Sequence, residues 1–214
     1  MTAFAIVRHG ETDWNRERRI QGATDIPLND TGREQARAAG RLLAGRAWSR
    51  IVASPLSRAA ETASIIAGEA RIDSPELDAA FVERNYGEAE GLTGSELDSR
   101  FPDGADVPGR ESREAVGERV VAGLHRLAAA HPGESIIVVA HGGVIRSVLE
   151  SVVPGHHREP ITNGSVHSFQ HADGGLELVL FDDPIDEQSI FPLADDFLEQ
   201  NPLAHRESDR EEAP

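Results

Sequence analysis

Three short apolar runs, Ala3 to Val7, Ile51 to Ala53 and Ile136 to Ala140, are each followed by a turn signal and then by a helical pattern. That alternation is the grammar of an α/β domain, in which strands and helices take turns along the chain. Thr31-Gly32-Arg33-Glu34 has the form of a capping box, and Ala36, Ala39, Leu42 and Leu43 follow at helical spacing. Ser54-Pro55 predicts a second helix, with serine as its N-cap and proline at its first position, running to about Ala67. Ser112 is expected to cap a third, which carries Val116, Val120, Leu124 and Leu127 on one face and stops at His131-Pro132-Gly133. A fourth helix follows Gly142. Val166 to Phe169 and Leu176 to Phe181, on either side of Asp173-Gly174-Gly175, read as a closing hairpin.

A chain of 214 residues is comfortable as one domain with decorations. Residues 1–183 are expected to form it, with a Gly-, Pro-, Asp- and Ser-rich, lid-like insertion at 83–111 that holds a short helix around Ser95 to Phe101. No internal repeat recurs at a fixed period. Cysteine is absent, which excludes disulfides, thiolate metal sites and a Cys nucleophile. Met1 runs directly into the first apolar run, without a basic segment or a long apolar stretch, so a soluble cytoplasmic protein is expected. The net charge of −16 argues against nucleic acid or an anionic membrane as partner, because both need a basic stripe. Between Asp182 and Pro214 stand eleven acidic residues and two Arg, so −9 of that charge lies in the tail. The tail, 184–214, also carries Ile190, Phe191, Leu193, Phe197 and Leu198, which would suit docking as a short helix; a solvated acidic tail is the plainer reading.

The residues just past each apolar run carry the chemistry. After Val7 comes Arg8-His9-Gly10-Glu11-Thr12; after Ala53 comes Ser54-Pro55 with Arg58 one turn into a helix; after Ala140 comes His141-Gly142-Gly143. Ligands of a parallel α/β sheet bind at the carboxyl ends of its strands, so two imidazoles and two guanidiniums would face one pocket. Guanidinium forks match phosphate oxygens, and glycines beside the histidines let backbone N–H groups approach an anion. Neighbouring cations would keep one imidazole neutral and nucleophilic, and His9, flanked by Arg8, is the better candidate. His141 would then stabilise charge on the phosphoryl oxygens, and a carboxyl beside the phosphate would protonate the leaving oxygen. Each feature alone has a plainer explanation, since a strand-end His is usually structural and a helical Arg usually solvated. Their joint occurrence at three strand ends does not.

The segment Arg8-His9-Gly10-Glu11-Thr12 resembles the R-H-G-[EQ]-[ST] signature of the histidine phosphatase superfamily, also called phosphoglycerate mutase-like. The resemblance continues in the family's order through Trp14-Asn15, Gln21-Gly22, Asp25 to Leu28, Thr31-Gly32, Ser54 to Ala59, Thr62-Ala63, Glu83, Gly87, Glu90-Gly91, Glu111-Ser112 and His141-Gly142, over residues 4 to 181. It implies a three-layer α/β/α sandwich with a mostly parallel sheet, and a phosphohistidine mechanism without a metal or other cofactor. Arg8, Arg58 and His141 resemble the phosphate-binding residues of the family and His9 its nucleophile, while Glu83 falls where the family has its proton donor. Asn15 and Gln21 resemble polar residues lining the phosphate pocket; Gly10, Thr12, Gly22 and Gly142 occupy the same loops.

The family holds both hydrolases and phosphoglycerate mutases, and fold does not separate them. Glu83-Arg84-Asn85-Tyr86-Gly87 resembles the E-R-x-Y-G of the mutases. Gly94 stands where they carry Lys, however, and the Arg-Arg pair of their insertion is missing between Gly94 and Pro108, which leaves a second phosphate fewer cationic partners. The short insertion resembles the broad-specificity phosphatase branch, so a small phosphate ester is the expected partner and mutase activity the alternative. Ala89 and Arg110 depart from that branch's pattern, and Arg84 and Arg110 are candidates for contacting an acidic substrate group. A non-catalytic phospho-ligand binder would be expected to lose His9 or Glu83. A metallohydrolase built on His156-His157-Arg158-Glu159 lacks further spaced ligands. The oligomeric state stays open, a homodimer included.

Overall fold

The computed structural model describes residues 1–102, 105–186 and 189–191. The three apolar runs form β1 (Thr2–Arg8), β2 (Arg50–Ala53) and β4 (Ser135–Ala140), and a two-residue strand, β3 (Glu76–Leu77), lies beside β2. With the hairpin β5 (Val166–Ala172) and β6 (Gly175–Leu180), they make one six-stranded sheet in the order β3-β2-β4-β1-β5-β6. The first four strands of that order are parallel; β5 runs antiparallel to β1, and β6 to β5. The mostly parallel sheet expected from the sequence is what the chain builds, closed by an antiparallel ribbon.

Pleating sorts the apolar runs into two layers, since successive side chains of a strand point to opposite faces. Phe4, Ile6, Val52, Ile136, Val138 and Ala140 face α5 (Arg113–Ala130) and α6 (Gly142–Val152), against Val116, Val120, Leu124 and Ile145. Ala3, Ala5, Val7, Ala53, Ile137 and Val139 face α2 (Asp30–Leu43) and α3 (Ser57–Ala70), against Ala39, Leu43, Ala59, Ala63 and Ile66. Each fully buried Ile, Leu or Phe contributes about 1.5–3 kcal/mol, so both layers are needed to hold the central strands. The three-layer α/β/α sandwich follows from this two-sided burial. The Trp48 and Phe191 rings meet at a tilt of 49°, centroids 4.3 Å apart, in the second layer, where Ile185 and Ile190 also pack. Of the apolar tail residues, Leu193, Phe197 and Leu198 lie outside the described residues. No helix among the described residues is long and apolar enough to cross a membrane.

Three local expectations are corrected. The α2 cap is Asn29, whose Oδ1 accepts from the Gly32 N–H at 2.9 Å, so the helix begins before Thr31 and the capping box does not form. Asn29 wins because it precedes Thr31 with an equally short acceptor, and its amide also reaches the Glu11 carboxylate at 2.9 Å. Leu42 is 41 % exposed, whereas Ala36, Ala39 and Leu43 are buried. α3 starts at Ser57 after an N-cap, Leu56, that offers no side-chain bond. Ser54 is too far upstream to cap that helix and is used elsewhere. Ser112 does cap α5, accepting from Ala115 N–H at 3.0 Å. The insertion contains α4 (Gly94–Arg100), close to its expected place and capped by Thr93.

Candidate active site

Parallel pairing brings the three strand ends to one edge. Arg8 stands opposite Ala140, and Ala53 opposite Val139. The ladder runs one residue further, with His9 N–H donating to the Ala140 carbonyl and Ser54 N–H to that of Val139, both at 3.0 Å. A cavity of about 340 Å³ opens there. Of the residues singled out in the sequence, Arg8, His9, Asn15, Gln21, Gly22, Arg58, Glu83 and Gly142 line it, and Arg19, Ile20, Tyr86, Gly143, Arg146 and Ile161 complete the wall. Gly10, Thr12 and His141 are not on the wall. The His141 ring lies just behind, its centroid 5.1 Å from that of His9.

His9 is buried, and its Nδ1 lies 2.6 Å from the Gly10 carbonyl oxygen. A carbonyl accepts only, so Nδ1 carries the proton and Nε2 keeps its lone pair. Burial and the Arg58 and Arg8 guanidiniums hold the His9 pKa well below 6.5, which leaves the ring neutral. The loop carrying it is tightly held. Asn163 donates to the His9 carbonyl at 2.9 Å, and Gly10 N–H donates to Thr62 Oγ1 at 3.1 Å. Thr12 and Asn15 cap each other at the start of α1 (Asp13–Arg16), which turns Asn15 toward the cavity wall.

Arg58, in the first turn of α3, is 1 % exposed. Its two terminal nitrogens donate to the Thr24 and Gly22 carbonyls at 2.9 and 2.7 Å. Arg8 donates to the Ile161 carbonyl. Neither guanidinium has a carboxylate within ion-pairing distance among the described residues. His141 Nε2 lies 2.8 Å from Ser54 Oγ, which also accepts from Leu56 N–H at 3.3 Å. In the tautomer with its proton on Nδ1, His141 takes the Ser54 hydroxyl proton at Nε2 and presents Nδ1–H as a donor. Burial, followed by His9, Arg58 and Arg8, holds the His141 pKa well below 6.5.

Glu83 accepts from Arg84 N–H at 2.8 Å and from Gly143 N–H at 3.0 Å. Burial raises its pKa above 4.5 against the opposing pull of those two bonds and of Arg58 and Arg8. A Cβ on Gly143 would lie 2.5 Å from Glu83 Oε1, so any larger residue there would displace this carboxylate. Behind the wall, Glu90 accepts from Ala23 N–H and Thr24 N–H, both at 2.9 Å, from Tyr86 N–H at 3.0 Å, and from the Thr24 hydroxyl. It ties the insertion to the loop whose carbonyls grip Arg58.

The sequence assigns Ser54, Thr62, Glu90 and Asn163 no part in the site, although Ser54, Thr62 and Glu90 stand at positions of the family's pattern. Ser54-Pro55 carried a signal, but its serine reads as a helix cap until the neighbouring strand end is known to bring His141 beside it. His156 and His157 lie apart from the site: His157 stacks on Phe181 at 4.9 Å, and His156 bonds the Pro154 carbonyl. Among the described residues no group of three or more His, Asp or Glu is placed to hold a metal.

Comparison with known proteins agrees with this geometry. The chain is 43 % identical over 155 residues to an uncharacterized phosphatase, PhoE, of Bacillus subtilis (strain 168), covering 72 % of this chain and 79 % of that one. It is 41 % identical over 184 residues to a phosphoglycerate mutase-like protein 4 of Arabidopsis thaliana, covering 80 % of each. Its fold matches a mycobacterial glucosyl-3-phosphoglycerate phosphatase complexed with VO3, with a TM-score of 0.75 and 27 % identity over 84 % of this chain and 98 % of that one. The profile of the histidine phosphatase superfamily (branch 1) matches residues 4–184, which include every residue of the cavity wall. The chain belongs to the histidine phosphatase superfamily, in its branch 1.

Proposed function

We propose that this protein is a phosphomonoesterase that hydrolyses small phosphorylated metabolites in the cytoplasm through a phosphohistidine on His9. One observation carries the reading. Among the described residues, the buried side-chain polar atoms without a hydrogen-bond partner are Arg8 Nε, Arg58 Nε, His141 Nδ1 and Gln21 Oε1, and all four belong to this site. A buried donor left unmet costs about 1–3 kcal/mol, more when charged, so this concentration marks a place prepared for an acceptor-rich anion. Rotating the Gln21 amide exchanges its oxygen for nitrogen and adds a fourth donor.

His9 Nε2 attacks phosphorus as the ester P–O bond breaks, and the Glu83 carboxyl gives its proton to the leaving oxygen. Arg8, Arg58 and His141 Nδ1–H stabilise the charge on the non-bridging oxygens in flight. Glu83, now a carboxylate, takes a proton from water as that water attacks the phosphohistidine; the P–N bond breaks and inorganic phosphate leaves. Imidazole supplies the nucleophile and guanidinium the charge, so a Lewis acid has no task here. Nucleic acid and membrane are not partners in this reading, which the acidic balance of the chain supports.

Quenching the enzyme during turnover of a labelled ester should yield a phosphoenzyme that is acid-labile and alkali-stable, as a phosphoramidate is. His9→Ala should lose both label and turnover, while exhaustive EDTA treatment should affect neither in the parent. Label on His141, or abolition by chelator with recovery on adding a divalent ion, would overturn the assignment.

A further inference from the structure

Negative charge behind a phosphate pocket opposes the ligand that the pocket holds, yet Glu90 stands behind this one. Both of its oxygens are met by donors. Oε1 accepts from the N–H groups of Ala23 and Tyr86 at 2.9 and 3.0 Å, and Oε2 from the N–H of Thr24 at 2.9 Å and from the Thr24 hydroxyl. The consecutive N–H groups of Ala23 and Thr24 make the kind of concavity that holds anions, and an anion of the chain itself fills it. Gly22, at φ +57°, shapes that concavity, and a Cβ on it would fall 2.0 Å from Glu90 Oε1. The other ends of these groups face Arg58. The peptide that joins Gly22 to Ala23 gives its N–H to Glu90, while its carbonyl accepts from Arg58 at 2.7 Å. Thr24 likewise gives its N–H and hydroxyl to Glu90, and its carbonyl accepts from Arg58 at 2.9 Å.

A carboxylate in direct contact with Arg58 would occupy the donors that a phosphate needs and offset the charge that attracts it. Placing a peptide between them avoids both effects. The carbonyls engage the terminal nitrogens of Arg58, and its Nε stays without a partner. A peptide with an anion at its N–H and a cation at its oxygen is polarised along its own dipole, so each of the two bonds strengthens the other. Burial pulls the Arg58 pKa below 12.5, and Glu83, Asp25 and Glu90, in that order, act against it. Resting on the catalytic reading above, we infer that Glu90 is a positioning residue for phosphoryl transfer: it fixes the Arg58 fork through the Gly22–Ala23 peptide and leaves that fork charged and open to the phosphate oxygens. Tyr86, three residues past Glu83, hangs from the same carboxylate, so an influence through the proton donor has to be told apart from one through Arg58.

Single-turnover phosphorylation of His9 separates the two routes, because Arg58 serves the non-bridging oxygens of any ester and Glu83 the leaving oxygen alone. Each Glu90 oxygen faces an N–H, so the amide nitrogen of Gln would set one N–H against another. Glu90→Gln should therefore slow p-nitrophenyl phosphate and an alkyl phosphate by similar factors, roughly ten- to hundred-fold, as misplacement of a positioned charge does. Glu90→Asp keeps the charge and should recover part of the loss. In an Arg58→Gln background, where the fork is gone, Glu90→Gln should slow either ester by less than about two-fold more. Additive losses would make Glu90 a structural tie, and a loss confined to the alkyl ester would route it through Glu83; either overturns the inference, as does an unchanged rate in Glu90→Gln. Full activity of Arg58→Gln alone would sink the catalytic reading and this inference with it. Should a variant not fold, Thr24→Val, which removes the hydroxyl donor alone, stands in for Glu90→Gln, and Arg58→Lys for Arg58→Gln. Equal slowing of both esters by about three-fold is then expected, and no slowing overturns the inference.

Discussion

His9 and Glu83 must be in opposite states at the moment of attack, the imidazole without its second proton and the carboxyl with its own. At their ordinary values, 6.5 and 4.5, no pH gives both as the main form. Burial moves them in the useful directions, His9 down with help from Arg58 and Arg8, Glu83 up despite the same cations. Both shifts therefore raise the share of molecules in the competent state, and phosphorylation should fail on the alkaline side as Glu83 loses its proton. Glu83→Gln isolates that proton. Single-turnover phosphorylation of His9 by an alkyl phosphate should slow by roughly 10²- to 10⁴-fold, the usual worth of a general acid. p-Nitrophenyl phosphate should slow far less, because its phenolate leaves unprotonated. Equal slowing of both would mean that Glu83 shapes the pocket and that the proton comes from another group.

Elements meet at this site through glycine as much as through side chains. A Cβ on Gly32, at the start of α2, would sit 2.1 Å from the Glu11 carbonyl oxygen, and one on Gly10 would sit 2.2 Å from the Gly32 oxygen. Both neighbours are backbone and cannot swing aside, so the His9 loop and α2 touch main chain to main chain. Gly32→Ala should cost about 1–3 kcal/mol of stability, as overpacking does, and should also lower kcat by displacing His9. A urea midpoint and a turnover number on one preparation check both; unchanged values would show that the loop has room to move. The same contact shows what was legible in the sequence. Apolar runs and their endings predict β1, β2, β4 and the gathering of Arg8, His9, Arg58 and His141, because strand and strand-end signals are local. The bonds that Glu90, Thr62 and Asn163 make to the loops around Arg58 and His9 span 52 to 154 positions and exist once the loops are packed, so no local pattern tells what these residues hold. Thr31 misled for the opposite reason: its local pattern was sound, but Asn29 offered an earlier cap.

Over the whole molecule, the buried histidines make stability depend on acid in a definite direction. His167, on β5, is fully buried, with Nε2 2.9 Å from Ser165 Oγ and Nδ1 accepting from Asp182 N–H at 3.1 Å. It thereby fastens the hairpin to the segment that leads through Asp183 and Ile185 to Phe191. Burial, assisted by Arg146 and His157, lowers its pKa from 6.5 to about 4. Between those values the unfolded chain binds a proton that the folded chain refuses, so stability rises with pH across the window and is lost as pH falls through it. At about 1.4 kcal/mol per pH unit, His167 alone removes about 3 kcal/mol by the bottom of that window. His9 and His141 are shifted in the same direction and steepen the loss. Glu83 opposes it: its raised pKa adds stability at low pH that disappears as pH rises through the folded value, one group against three. The urea midpoint should therefore fall steadily from about pH 6.5 toward pH 4, with uptake of more than one proton on unfolding. His167→Gln, which keeps a donor and an acceptor but cannot titrate, should flatten that slope by close to one proton. A parent midpoint indifferent to pH over this range would mean that these imidazoles are reached by water and protonate in the folded state.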